Sequence, residues 1–138
     1  MNDEQIEQAV QAKGLTAPRV TAADVEAEIH GIYFFTAEQG ARLAIAEEGA
    51  AGAGPLADAL PLRQVTVCVL VTRNGHRLVG VNTGPVSPEN FDAELGRKLA
   101  RANAVDQLWP LLGYQLRCQL AEEAHNARVL AVALATEG

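Results

Sequence analysis

A chain of 138 residues, 49% hydrophobic and 20% charged, can bury one sizeable core and has no apolar run of membrane-spanning length. Its formal net charge of −6 argues against binding polymeric nucleic acid, which needs several phosphate-neutralising cations. The two cysteines, Cys68 and Cys118, lack ligand spacing, which speaks against a disulfide framework or a zinc site. No metal and no cofactor is expected, and a reducing cytoplasm is the expected location. The acidic start Met-Asn-Asp-Glu is unlike a signal peptide. Charge is unevenly spread. Up to residue 62, three basic groups stand against ten acidic ones, a balance of −7; from residue 63 on, eight stand against seven, a balance of +1. That distribution suits a small anion better than a polymer.

Asn2 with Gln5, or Asp3 alone, can cap a first helix to about Lys13, with Ile6 and Val10 one turn apart and Gly14 as the stop. Thr21 and Asp24 resemble a capping box opening a short helix in which Val25 and Ile29 share a face. His30-Gly31 is expected to end it. Ile32 to Thr36 reads as a strand, with Tyr33, Phe34 and Phe35 expected to fill the core. From Ala37 to Leu60 the chain is rich in Ala and Gly. Ala41 to Glu48 can form a short helix, while the stretch 50–55 is a loop that is either a mobile tip or a lid.

Gln64 to Thr72 is the strongest strand. Asn74-Gly75 predicts a two-residue type I′ hairpin, and Arg77 to Asn82 returns antiparallel. That register sets Val71 opposite Leu78, Val69 opposite Gly80 and Val67 opposite Asn82. The near-continuous apolar character predicts cover on both faces. Gly80 permits a close approach. Asn82 ends the strand either as a partner of loop backbone or as a ligand contact.

The run from Ser87 to Trp109 reads as a helix capped by Ser87 with Pro88 first. Leu95, Leu99 and Ala102 give it an apolar face, and Arg97 and Arg101, four apart, project away from that face. Behind a positive helix end they make a candidate anion site. The competing reading is a solvated face, with Glu94 pairing to Lys98 or Arg97. Gly96 inside a helix, about 1 kcal/mol worse than alanine, hints at something close by. Pro110 is expected to break or kink the helix before a second segment from Leu111 to Ala121. The tail 127–135 is small and apolar and suits the core or a subunit interface. No nucleophile–base pair, phosphate loop or metal cluster is visible, so nothing calls for an enzyme.

The expected architecture is α+β: an antiparallel β-sheet with a β-hairpin, followed by a C-terminal two-helix hairpin, assembled as an oligomer. A single domain spans 1–138. Within it lie N-terminal helices and strand at 1–36, a variable Ala/Gly loop at 37–62 and a β-hairpin at 63–86. A helical hairpin at 87–126 and an apolar tail at 127–138 complete it.

The strings L-P-L-R-Q-V-T-V-C-V-L-V-T-R-N-G, S-P-E-N-F-D-A-E-L-G-R-K-L-A-R-A-N-A and L-W-P-L-L-G-Y-Q-L-R resemble a family of small phage and prophage proteins. P-R-V-T-A-A-D-V-E-A and Y-F-F-T-A extend the likeness, which runs to about Ala121. That family is similar to the Thoeris anti-defence sponges, which sequester cyclic ADP-ribose isomers made by bacterial TIR-domain sensors. Related proteins with a similar helical hairpin are anti-CBASS sponges for cyclic oligonucleotides. The resemblance implies a phage anti-defence protein, in the cytoplasm of the infected host, that holds a cyclic nucleotide without cleaving it. It implies a homodimer or homohexamer with the ligand near a subunit boundary. Arg97 and Arg101 would hold the diphosphate, Asn82 would contact a ribose or base, and Asn90 or Phe91 would touch the ligand near the helix start. The hairpin offers Leu78 and Val79 where a stacking aromatic belongs, which leaves Phe91 or Tyr114 for that part. The alternative is a phage accessory protein that inhibits a host protein by direct contact.

Overall fold

The computed structural model describes residues 2–49 and 58–137. Helix α1 (Asp3–Ala12) opens with a reciprocal cap in which Asn2 accepts from the Gln5 backbone and Gln5 from the Asn2 backbone. Gly14, at φ 68°, follows its end. Helix α2 (Ala22–Glu28) is capped by Thr21 and Asp24 in the same manner. Strand β1 (Ile29–Thr36) follows at once. Ile29 and His30 therefore belong to the strand and not, as the sequence suggested, to the helix. A register irregularity between Ile29 and Gly31 absorbs the change of direction.

Helix α3 (Ala37–Glu48) begins four residues ahead of the predicted one, because Thr36 and Gln39 form a third capping box. Helix α4 (Leu60–Arg63) is a single turn with Pro61 inside it. The stretch 50–55, read as a tip or lid, lies outside the described residues. Strands β2 (Thr66–Thr72) and β3 (Arg77–Asn82) complete an antiparallel sheet in the order β1-β2-β3.

The hairpin is real, but its register differs by one residue from the predicted one. Leu70 stands opposite Leu78, Cys68 opposite Gly80 and Thr66 opposite Asn82. A type I′ turn would need a positive φ at Asn74, and no described non-glycine residue has one. Three residues, Arg73 to Gly75, instead form the loop: Gly75 N–H donates to the Thr72 carbonyl at 2.9 Å, and Gly75 takes φ 85°. The Thr72 hydroxyl donates to Asn74 Oδ1 at 2.6 Å and accepts from the His76 N–H at 3.1 Å, which braces the turn. Because strand side chains alternate, the one-residue shift changes which of them face the core. Thr66, Cys68, Leu70, Thr72, Leu78 and Gly80 are buried.

The chain forms two compact units. Ala27–Gln107 make up one, and the segments up to Glu26 and from Leu108 onward make up the other. In the first, the sheet's buried face is covered by the start of helix α5 (Ala93–Glu137). The predicted apolar face of that helix is not the one that packs. Leu95 and Leu99 are exposed, whereas Gly96, Ala100, Ala104 and Val105 are buried. The contact is backbone on backbone. A Cβ at Gly80 would lie 2.0 Å from the Ala100 carbonyl oxygen and 2.5 Å from the Ala104 nitrogen, and one at Gly96 would lie 2.8 Å from Thr66 Oγ1. The glycine in the helix thus serves packing. Asn103 Nδ2 donates to the Val81 carbonyl and Gln107 Nε2 to the Val79 carbonyl, both at 2.8 Å.

Two expectations about the sheet fail together. The aromatics of β1 do not fill the core: Tyr33 is 61% exposed, and Phe34 and Phe35 are also exposed. The hairpin is not covered on both faces either, since Val79 and Val81 are exposed and Val67, Val69 and Val71 only half-buried. Cys68, Leu70, Leu78, Ala100, Ala104 and Val105 supply this unit's apolar core, and burying one such leucine is worth roughly 1.5–3 kcal/mol.

The second unit contains α1, the segment that carries Arg19, and the later part of α5. Its guanidinium donates to both oxygens of Glu7 at 2.7 and 2.6 Å. Val10, Trp109, Leu112 and Leu116 are half-buried, while residues 117–137 are exposed. In place of the predicted two-helix hairpin, α5 runs unbroken through Pro110, and the expected apolar tail forms its last three turns. Proline forfeits one backbone hydrogen bond, a local loss that the 45-residue helix accommodates.

Candidate functional site

The start of α5 is not where the sequence put it. Ser87 makes no side-chain cap, and Pro88–Asn90 form one 3₁₀ turn. Phe91 is extended, and Asp92 then caps the α-helix by accepting from the Leu95 N–H at 2.9 Å. This break lifts Phe91 out of the helix and makes it a wall between two clefts of the Ala27–Gln107 unit.

The first cleft has a volume of about 360 Å³, within the range of small-molecule pockets. Arg63, Arg97 and Phe91 line it with Phe34, Phe35, Gln39 and Thr66, and Ala93 at the helix start completes the wall. Two guanidiniums share the cleft with aromatic rings, and no carboxylate is among its described lining residues. Among the described residues Arg97 has no ion-pair partner. Arg63 is held by Glu38, at 3.0 Å from Nε to Oε1. Hydrogen bonding from Arg63 draws the Glu38 carboxyl below its ordinary value of about 4.5, against the upward push of desolvation and with help from Arg42. The same pair raises the Arg63 pKa.

The second cleft, about 180 Å³, is lined by Asn82, Asn90, Phe91, Asp92, Leu99 and their neighbours. Its character is neutral to acidic, because the helix cap supplies a carboxylate. Asn82 Oδ1 accepts from the Gly84 N–H at 3.1 Å, where Gly84 turns at φ 86°. That is the loop-bracing role; the residue also lines the cleft.

The structure thus brings Arg97 and Phe91 together in one cleft, and Asn82, Asn90 and Phe91 in the other. Arg101 lines neither. It is half-buried one turn further along α5, where its charge offsets part of the upward push that burial gives the Cys68 thiol. Leu78 is buried in the core and cannot stack on a ligand. Tyr114 is 71% exposed and belongs to the other unit. Arg63, Phe34, Phe35 and Gln39 were missed by the sequence reading. Arg63 sits in a four-residue helix, and the phenylalanines look like core until the sheet's cover is known. The one legible signal was the rise in basic charge from residue 63 on.

Fold and clefts define a small α+β domain with a cationic, aromatic-lined cavity beside a helix start. Among the described residues no helix is long and apolar enough to cross a membrane. The chain belongs to the Phage protein (N4 Gp49/phage Sf6 gene 66) family, whose model matches residues 20–120. All the residues lining the two clefts fall within that span. No curated protein and no solved structure matches the chain.

Proposed function

We propose that this phage-family protein binds and sequesters a cyclic nucleotide signal of the host's defence, a cyclic ADP-ribose isomer in the first instance, without cleaving it. The observation that carries the reading is the first cleft: an unpaired Arg97 and an accessible Arg63 beside phenylalanine rings, with no lining carboxylate. A cyclic ADP-ribose isomer joins a compact diphosphate to an aromatic base, and these two groups call for guanidinium forks and flat apolar walls. The diphosphate would sit between Arg63 and Arg97, and the ribose or base would pass Phe91 towards Asn82 and Asn90. The protein would act in the cytoplasm of the infected cell as a homodimer or homohexamer, with Arg101 contributing from a neighbouring position on the helix.

The purified protein is incubated with cyclic ADP-ribose isomers and cyclic oligonucleotides, freed of unbound ligand and heat-denatured, and the released compound is identified. Intact nucleotide in near-stoichiometric amount is expected, with at least a tenfold loss of affinity in Arg97→Ala at unchanged thermal stability. Recovery of nothing across the panel overturns the reading, and a cleaved product makes the protein an enzyme. One observation favours a second reading, direct inhibition of a host protein. Val129, Leu130, Val132 and Leu134 on the last turns of α5 are more than half exposed. That reading predicts a host enzyme inhibited in the absence of any nucleotide, and inhibition lost when residues 127–138 are removed.

A further inference from the structure

Arg63 is gripped along one edge only. Its Nε donates to Glu38 Oε1 at 3.0 Å and its Nη2 to Glu38 Oε2 at 3.1 Å. Glu38 Oε2 also accepts from Nε and Nη2 of Arg42, at 3.3 and 3.2 Å. A guanidinium has five N–H donors in a planar fork. The Glu38 contact uses the Nε–Nη2 side and leaves the Nη1–Nη2 end without a partner among the described residues. Arg63 lines the first cleft, whereas Glu38 does not and is only 13% exposed at its side chain. The carboxylate's own charge is met by Arg42, so the three-residue cluster carries +1 and an incoming anion finds no uncompensated negative group.

Resting on the reading of the cleft as a nucleotide site, we propose that Arg63 is a second anion-binding residue alongside Arg97, and that Glu38 is its positioning residue. Holding one edge of the guanidinium orients the free end for a bidentate contact with phosphate oxygens. An unrestrained arginine would lose its rotamer freedom on binding, and the grip of Glu38 removes most of that loss beforehand. The capping box at Thr36 and Gln39 fixes the first turn of α3 and with it Glu38. The ligand class that fits two guanidiniums next to aromatic rings is an organic diphosphate, with one phosphate for each arginine.

Wild type, Arg63→Ala, Arg63→Lys and Glu38→Gln are titrated calorimetrically with cyclic ADP-ribose and with inorganic pyrophosphate, after thermal melts establish that each variant is folded. Arg63→Ala is expected to weaken both ligands about tenfold. Arg63→Lys is expected to lose nearly as much, because an ammonium cannot be held on one edge and present a fork with another. Glu38→Gln is expected to weaken binding about threefold and to broaden the Arg63 Nε–H resonance relative to wild type. If bare charge governed the site, lysine would restore binding and removal of the Glu38 charge would tighten it; either result overturns the proposal. Should wild type bind while the Arg63 variants bind equally well, the assignment of Arg63 falls and the nucleotide reading stands. Should wild type bind neither probe, nor any compound of the cyclic-nucleotide panel, the reading of the cleft falls first and the assignment with it.

Discussion

Replacing Gly80 with alanine tests how α5 is seated. Alanine ordinarily gains about 0.5–1 kcal/mol over glycine inside a strand, because glycine loses more backbone freedom on folding. Here the added Cβ would lie 2.0 Å from the Ala100 carbonyl oxygen and 2.5 Å from the Ala104 nitrogen. Ordinary contact starts beyond 3 Å, so the helix must retreat by about 1 Å, and both obstacles are backbone atoms that no rotamer change can move. Overpacking of this kind costs about 1–3 kcal/mol and can exceed that. The hydrogen bonds from Asn103 and Gln107 to β3 stretch in the same movement. The net expectation is a loss of about 2–3 kcal/mol. In urea, with a slope of about 1–3 kcal/mol per molar, the midpoint of Gly80→Ala falls by about 1 M. A midpoint equal to or above wild type would refute the backbone seating of α5 on β3.

Gly75→Ala isolates a different effect: its Cβ would meet nothing within 4 Å, so only the φ of 85° is at stake, and urea unfolding should show a loss of about 1–2 kcal/mol. Asn103→Ala with Gln107→Ala removes both donors to β3, and the double variant should lose about 1–2 kcal/mol in the same assay. Glu7 and Glu38 both have pKa values lowered by arginine hydrogen bonds. Each ion pair therefore stabilises the fold above the unfolded value of about 4.5, and its contribution fades as pH falls through the lower folded value. Carboxyl NMR titration should find these two glutamates titrating below their unfolded value of about 4.5, and Glu38→Gln should flatten the loss of stability as pH falls below it.

What the sequence disclosed was local. Asn2 with Gln5 and Thr21 with Asp24 are caps because the partners are three residues apart, and a three-residue spacing can be read directly. The β2–β3 hairpin was legible from its β-branched run, and Gly80 was legible as a point of close approach. The hairpin register was not, since Asn74-Gly75 serves a two-residue turn and a three-residue turn equally, and only the backbone φ of Asn74 decides. The buried face of α5 misled for a physical reason. Large apolar residues usually mark the core, but a helix lying this close to a sheet has room only for Gly96, Ala100 and Ala104, so Leu95 and Leu99 are turned outward. Half of the candidate site was legible in the same local sense, through Arg97, Phe91, Asn82 and Asn90. Arg63 and Phe34 come from segments more than thirty residues before Arg97, and only the sheet topology and the α3–β2 connection bring the three together.

The two amide donors of α5 form a ruler laid against the strand. Four residues of helix advance about 6.0 Å, and two residues of strand about 6.7 Å, so Asn103 and Gln107 meet the Val81 and Val79 carbonyls nearly in step. A slip of one turn would move the helix about 5.4 Å and carry Arg97 clear of its cleft. Gly80, wedged between Ala100 and Ala104, acts as the notch that forbids the slip. The positional memory of the site therefore resides largely in a glycine and two amides that line neither cleft, while Arg97 and Phe91 remain free to be exchanged for other chemistries without the helix losing its place.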